Sequence, residues 1–526
     1  MGTDLIAPTI YNMVDEIEQH AKDEHKLALI VLDENGHETT YTYKQIINRA
    51  NQIANVLTDS GLQIGDLLLI MLPRSVEAYA TYLGALKAGI TIIPSSDQLR
   101  AGDIDYRVRH AGAKAIIVHE NYLSELKNAE SLAEMTLFIV GDANEKSKTG
   151  IYLNKEVERA SEHFESREID STTKAFIAYT SGTTGTPKGA VHTHAWGYAH
   201  LRTTAKSWLG VEEGDVVWAT AAPGWQKWIW SPFLAVLGSG ATAFVYKGKF
   251  EATVFLQLIE RYAVNVLCCT PTEYRLMIKK DNLSNYKFPQ LRSAVSAGEP
   301  LNREVIERFK EAFDVQVRDG YGQTENTLLV GTLIGMEPRP GSMGKPTPGN
   351  YVDLINGFGQ LVAIGEVGDI AVHRNTPALF KGYYKEPERT SMQFRGDWYV
   401  TGDRARKDED GYFWFEGRSD DMIISAGYTI GPFDIEDALL KHPLVQECAV
   451  VASPDEIRGS IVKAFVVLND FAQTQREGIV EELQEHVKAI VAPYSYPRKI
   501  EFLEELPKTV SGKIRRVELR KREAQV

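Results

Sequence analysis

The sequence predicts an α/β fold in two parts. One is a large N-terminal domain of parallel α/β subdomains plus a distorted β-barrel; the other is a small α+β C-terminal domain. Three observations carry this. The chain has 526 residues, too many for one ordinary core, so two or more domains are expected. Its first two thirds alternate short apolar runs with amphipathic stretches, the signature of βαβ units and a parallel sheet. That pattern then breaks twice, near residue 340 and after Arg418.

Taken in order, "LLLIML" around residues 68–72 reads as a buried strand, and "SVEAYATYLGALKAG" follows with apolar residues at helical spacing. "ITIIP", a helical "DIDYRVRHAG", "AKAIIVHE" and "TLFIVGD" continue the alternation, which returns in "ATAFVY", "FLQLIERY" and "VNVLCCT". From "RPGSMGKPTPG" (339–349) the chain is rich in Gly and Pro. "YVDLI", "GDIAVHR" and "GYFWFEGR" are then short turn-bounded strands of an antiparallel sheet or barrel. Beyond Arg418, "DIEDALLKHP" and "IVEELQEHVKAIV" read as helices, and "VQECAVVAS" and "IVKAFVVLN" as strands. They make a unit of domain size. The segment from Pro507 to Val526 carries seven Lys/Arg against two Glu and reads as a solvated basic terminus.

A net charge of −13 argues against a general nucleic-acid binder. The N-terminus lacks a basic stretch followed by an apolar run, and the longest apolar runs are strand length. Cys268, Cys269 and Cys448 have no metal-ligand spacing and read as reduced, partly buried thiols. The expectation is a cytoplasmic protein with no membrane partner.

Four stretches carry chemistry. "YTSGTTGTPKGAVHTH" (179–194) follows a strand and offers Thr180, Ser181, Gly182, Thr183, Thr184 and Gly185 ahead of Lys188, suited to cradling phosphates. It departs from the Gly-x-x-x-x-Gly-Lys-Ser/Thr loop, because Gly189 stands where the Mg²⁺-binding hydroxyl would be. "RDGYGQTEN" (318–326) reads as a Gly-rich turn in which Glu325 is a hard ligand for Mg²⁺ and Tyr321 is free to stack on a flat ring. In "YVTGDR", Asp403 is placed to accept both hydroxyls of a ribose, and Arg418 stands at the junction of the two domains. "LPKTVSGKIRR" (506–516) puts Lys513 after a Ser-Gly turn. Each stretch alone also fits a plain polar loop or turn.

Together, in this order and spacing, "YTSGTTGTPKG", "GYGQTE", "YVTGD", "GRSDDMI" with "GYTIGPFDIE", and "PKTVSGKIRR" resemble the motifs of the adenylate-forming superfamily, over roughly residues 30–520. The resemblance points to short/medium-chain or branched-chain acyl-CoA synthetases. It implies that a carboxylate attacks the α-phosphate of ATP to give an acyl-adenylate and pyrophosphate, and that the CoA thiol then displaces AMP. By this likeness Lys188 and the 180–184 loop hold the departing phosphates. Gly298, Glu299, Pro300, Asp319, Gly320, Tyr321, Gly322, Gln323 and Thr324 line the adenine and α-phosphate. Glu325 holds Mg²⁺, Asp403 takes the ribose and Arg418 contacts the nucleotide. Lys513 bridges the carboxylate and the α-phosphate. Asp420, in a hinge at 419–421, separates a large domain (1–418) from a small mobile one (422–526). Ala426, Gly427 and Lys488 face CoA.

By this likeness Thr429 stands where related synthetases often have Arg contacting phosphate, so either another cation substitutes or the adenylation state is held less tightly. For the acid, "APGWQKWIWSPF" (222–233) offers Trp225, Lys227 and Trp230. Acetate-specific relatives carry Trp at the position of Gly322, so an enlarged pocket for a C3–C8 acid is expected here, with an aryl acid as competitor. The alternatives are transfer to a carrier-protein phosphopantetheine, or a nucleotide-binding regulator without catalysis. The oligomeric state stays open, a homodimer included.

Overall fold

The computed structural model describes residues 4–126, 135–141, 150–180, 186–299, 301–425, 428–455, 458–471, 474, 476–491, 495–508 and 514–524. Two largely parallel sheets form its body. One has seven strands, in the order 151–152, 136–140, 115–119, 67–71, 91–94, 174–180 and 188–193. The other has nine, in the order 345–346, 328–331, 317–322, 293–297, 266–269, 216–219, 242–246, 27–32 and 38–42. Antiparallel strands close one end of the first sheet and both ends of the second.

The strand runs are apolar because both faces are covered. All five residues of Leu67–Met71 are buried, and so is nearly all of the helix Val76–Lys87 that follows. Caps fix where helices begin. Ser75 accepts from Ala78 N–H, and Thr42 with Gln45, and Thr270 with Glu273, form capping boxes. Between the sheets, Trp228 packs against Tyr79, Tyr82 and Phe233 with ring centroids 5.0, 4.8 and 5.2 Å away. That aromatic wedge fixes the segment 225–235, whose other side faces the site.

An antiparallel sheet of 352–355, 367–373, 394–395, 398–407 and 413–418 curls as a half-barrel beside these two. A separate C-terminal domain holds the strands 445–455, 459–468 and 499–502 with the helices Pro432–Leu440 and Ile479–Lys488. It leans on the large part through Asp437, which accepts from Arg303 N and Asn302 Nδ2, and through Lys279 Nζ on Gln446 O.

Three sequence expectations are corrected. Val317–Gly322 is a strand of the nine-stranded sheet rather than a Gly-rich turn. Its glycines serve close packing: a Cβ on Gly320 would lie 2.5 Å from the Trp208 ring. The basic terminus is ion-paired rather than simply solvated. Arg516 takes Glu436 on both oxygens, Lys508 takes Glu447, and Arg520 reaches Asp420 and Asp421. The three cysteines are fully buried rather than partly so. No helix of the described residues is long and apolar enough to cross a membrane.

Candidate active site

The segment 317–327 is the spine of the site and touches three groups of side chains in turn. At its far end, Glu325 is 6% exposed, and its Oε1 accepts from the Tyr383 hydroxyl at 2.8 Å and lies 3.1 Å from Lys188 Nζ. Lys188 Nζ also donates to the Tyr383 oxygen at 2.5 Å and sits 4.4 Å from the centre of that ring. Sheet pairing explains Lys188's place, since it lies opposite Thr180 in the antiparallel pair formed by 174–180 and 188–193. Thr180 Oγ1 is buried without a partner among the described residues. Thr324 is held from behind, its carbonyl accepting from His192 Nε2 at 2.6 Å. Burial holds the His192 imidazole down at about 4, so it is neutral at physiological pH.

In the middle, Asp403 Oδ2 accepts from the Tyr321 hydroxyl at 2.6 Å and from Gln323 Nε2 at 2.7 Å. Gln323 Nε2 also reaches the Thr401 carbonyl. Both donors use one carboxylate oxygen, so Oδ1 is left for hydroxyls of a ligand. Asp403 pairs with Arg418 across two strands, which places the guanidinium beside it. Burial raises the Asp403 carboxyl, while the Tyr321 hydrogen bond and the Arg418 charge pull it back.

At the near end, Asp319 is buried and its carboxyl is pushed up to about 7, chiefly by desolvation against amide donors from Gly320 and Leu301. The folded protein therefore holds this proton more tightly than the unfolded chain. Its contribution to stability is fully present below the ordinary 3.8 and is lost as pH rises towards 7. Asp319→Asn cannot ionise. The stability of the wild type relative to this variant should fall between about pH 4 and 7, by up to about 1.4 kcal/mol per unit. Denaturation curves at several pH values measure this, and a constant difference counts against it.

Beside Gly322 lies the third group. A Cβ there would be 2.2 Å from the Thr327 carbonyl oxygen and 2.8 Å from Cη2 of Trp230. The Trp230 ring thus packs against the Gly322 backbone and walls one side of the space beside it. Lys227 Nζ lies 4.8 Å from the Trp208 ring centre and 5.8 Å from that of Trp230. Among the described residues, Lys227 Nζ, Trp230 Nε1 and the Gln226 amide are buried without hydrogen-bond partners, as are Gln323 Oε1 and Asn326 Nδ2. Buried polar groups normally find partners, so this many orphans around one spine mark a place for a polar ligand. His200 locks the region, accepting from Thr327 Oγ1 at 2.7 Å on Nδ1 and donating to the Trp230 carbonyl at 2.9 Å.

Other expected residues lie at the edge. Gly298 has φ of +108° and open space among the described residues where a Cβ would stand, while Glu299 accepts from Thr272 Oγ1 and faces Arg275. Trp225 is half-buried at the start of the short helix Gln226–Trp228. Asp420 pairs with Arg418 and Arg520. Lys488 is bound to Glu485 and Tyr496 on its own domain. Thr429 lies in the strand Tyr428–Ile430, opposite Ile424. Ser181, Gly182, Thr183, Thr184, Gly185, Pro300, Ala426, Gly427 and Lys513 lie outside the described residues.

Tyr383, His192 and His200 were not singled out in the sequence. Only the Gly-Tyr-Tyr in "FKGYYKEP" offers any signal for the first, and the histidines read as ordinary core.

The profile of the AMP-binding enzyme family matches residues 17–384, and that of the AMP-binding enzyme C-terminal domain matches 434–513. The chain is 56% identical over 523 residues to the uncharacterized acyl–CoA ligase YtcI of Bacillus subtilis (strain 168), covering 99% of this chain and 98% of that one. It is 41% identical to the mitochondrial acyl-coenzyme A synthetase ACSM3 of Rattus norvegicus, covering 94% and 86%. The crystal structure of the anthranilate CoA ligase AuaEII with anthranoyl-AMP superposes with a TM-score of 0.91 at 30% identity, covering 99% and 98%. The chain therefore belongs to the AMP-binding enzymes of the adenylate-forming superfamily. Within them it is an AMP-forming carboxylic acid–CoA ligase.

Proposed function

We propose that this ligase activates a short- to medium-chain acid, C3–C8 and straight or branched, as its adenylate and passes the acyl group to CoA. The observation that carries this reading is the pair of orphan donors, Lys227 Nζ and Trp230 Nε1, beside Gly322. A buried ammonium without a carboxylate partner is costly unless a ligand anion completes it. The substrate's carboxylate is such an anion, and the indole wall of Trp230 then limits its chain.

In this reading Asp403 Oδ1 holds the ribose and Arg418 lies along the nucleotide. Lys188 and the 180–184 loop hold the β- and γ-phosphates, which leave as pyrophosphate. Glu325 fits Mg²⁺, because one buried carboxylate with Oε1 engaged leaves Oε2 for a cation that takes its remaining ligands from phosphates and water. When bound, that ion would neutralise charge on the phosphates. Adenylation gives the carboxyl carbon a good leaving group, and the thiol then displaces AMP. We also propose that the small domain turns about 419–421 between the two half-reactions, with 1–418 and 422–526 as the bodies and Asp420 in the hinge. Ala426, Gly427 and Lys488 would then face CoA. For a cytoplasmic location the support is the sequence alone.

Pyrophosphate release with straight acids from C2 to C12, branched acids and aromatic acids, each with CoA, tests the reading. The expected optimum lies within C3–C8. Trp230→Ala should move it to longer acids, with about a fourfold gain per added methylene that fills the vacated room. Failure of every acid in pyrophosphate exchange would overturn adenylation. Preference for aromatic acids would instead favour an aryl-acid ligase, a reading suggested by the anthranoyl-AMP bound to AuaEII. Thioester formation on a carrier protein but not on CoA would redirect the acceptor.

A further inference from the structure

We propose that Tyr106 and His110, on the helix Ala101–Ala111, are positioning residues for Lys188. The proposal rests on the reading of Lys188 as a phosphate ligand. Neither residue touches the Lys188 ammonium. They act on its backbone from the opposite side of the sheet pair.

Tyr106 donates its hydroxyl proton to the Pro187 carbonyl at 2.7 Å. That carbonyl belongs to the peptide plane carrying the Lys188 N–H, so one hydrogen bond fixes the plane's orientation. His110 Nδ1 lies 2.7 Å from the Tyr179 hydroxyl. Tyr179 stands opposite Gly189, and Thr180 opposite Lys188, so this second bond holds the partner strand one residue away. Tyr106 and His110 are four apart on one helical face. Their rings are stacked, with centroids 5.5 Å apart and 8° between planes. The clamp is therefore a single rigid face gripping both strands just where they leave for the phosphate loop.

The segment 383–386 ties this clamp to the ammonium end. Tyr383 holds Lys188 Nζ, and Tyr384 N–H donates to the Gly189 carbonyl at 2.8 Å. Lys385 Nζ donates to the His110 carbonyl at 3.0 Å at the end of the helix, and Glu386 Oε1 lies 3.9 Å from His110 Nε2. Four consecutive residues thus contact the Lys188 side chain, its strand, the clamping helix and the clamping imidazole.

The test uses the full-length enzyme with its best acid. Tyr106→Phe keeps the ring stack and removes only the hydrogen bond to Pro187. The expected result is a rise in KM for ATP of about two- to tenfold in pyrophosphate exchange, the range of one lost hydrogen bond. Thioester formation from supplied acyl-adenylate should be unchanged. His110→Gln, which keeps a polar group but loses the stack, should act in the same direction. In a Lys188→Ala background, Tyr106→Phe should add nothing, since its effect passes through Lys188. An unchanged KM for ATP, equal slowing of both half-reactions, or full additivity with Lys188→Ala would overturn the proposal and leave the ligase reading standing. Absence of exchange in the wild type would remove both.

Discussion

Glu325→Gln is expected to slow acyl-adenylate formation by about a hundredfold or more, equivalent to roughly 2.7 kcal/mol of lost transition-state stabilisation. Three effects add in the same direction. The amide removes a unit of negative charge from a group 6% exposed and 3.1 Å from the Lys188 ammonium, which leaves that ammonium without its counter-charge. Breaking one side of a buried ion pair is more costly than deleting both, at about 3–5 kcal/mol. It also weakens the only carboxylate in the spine placed to hold Mg²⁺, and it perturbs the Tyr383 hydroxyl that joins the two charges. Pyrophosphate exchange as a function of Mg²⁺ measures this: the variant should need more Mg²⁺ and still fall short at saturation. The thioester half-reaction, supplied with adenylate, should keep most of its rate because no pyrophosphate leaves in that step. Tyr383→Phe is the milder companion, as it removes the bridge and keeps both charges. A Glu325→Gln enzyme with wild-type Mg²⁺ dependence would place the metal elsewhere.

The alternation of short apolar runs with amphipathic stretches marked the parallel sheets, because buried strands and amphipathic helices leave local patterns. It did not reveal which strands share a sheet. Leu27–Leu32 pairs with Thr242–Tyr246, more than two hundred residues on, and nothing local encodes a pairing of that span. The glycines of Asp319–Gly322 suggested a turn because glycine is the usual turn residue. Here they let a strand press against Trp208 and Trp230, a tertiary reason invisible in a window. The charged groups Lys188, Glu325 and Asp403 were legible because glycine, hydroxyl and charge recur in fixed order. Their supports were not. Tyr383, Gln323's grip on Asp403 and the Tyr106–His110 clamp depend on which distant side chains meet. The same limit explains Gly322. A missing indole suggested room, but the sequence could not show that Trp230 packs against that glycine as a wall.

Lys513→Ala should reduce adenylate formation by about a hundred- to a thousandfold, the usual cost of removing a preorganised charge at a developing oxyanion. It should leave thioester formation from supplied adenylate near the wild-type rate. Residues 509–513 lie outside the described ones, yet the chain on both sides is anchored. Lys508 binds Glu447 at 2.7 Å and bridges to Ile514, and Arg516 grips Glu436 through two oxygens at 2.8 and 2.7 Å. Those anchors tie Lys508 and Arg516 to the small domain on either side of the 509–513 segment. In the proposed rotation the Lys513 charge would reach the α-phosphate in one domain position and be withdrawn in the other, so only one half-reaction should suffer. Single-turnover measurement of each step separates them. Arg516→Ala is the control for position: it keeps the Lys513 charge and removes an anchor, so it should weaken adenylation less than Lys513→Ala and in proportion to lost stability of the small domain. Equal loss of both half-reactions in Lys513→Ala would assign this lysine a role in holding the fold instead of the transition state.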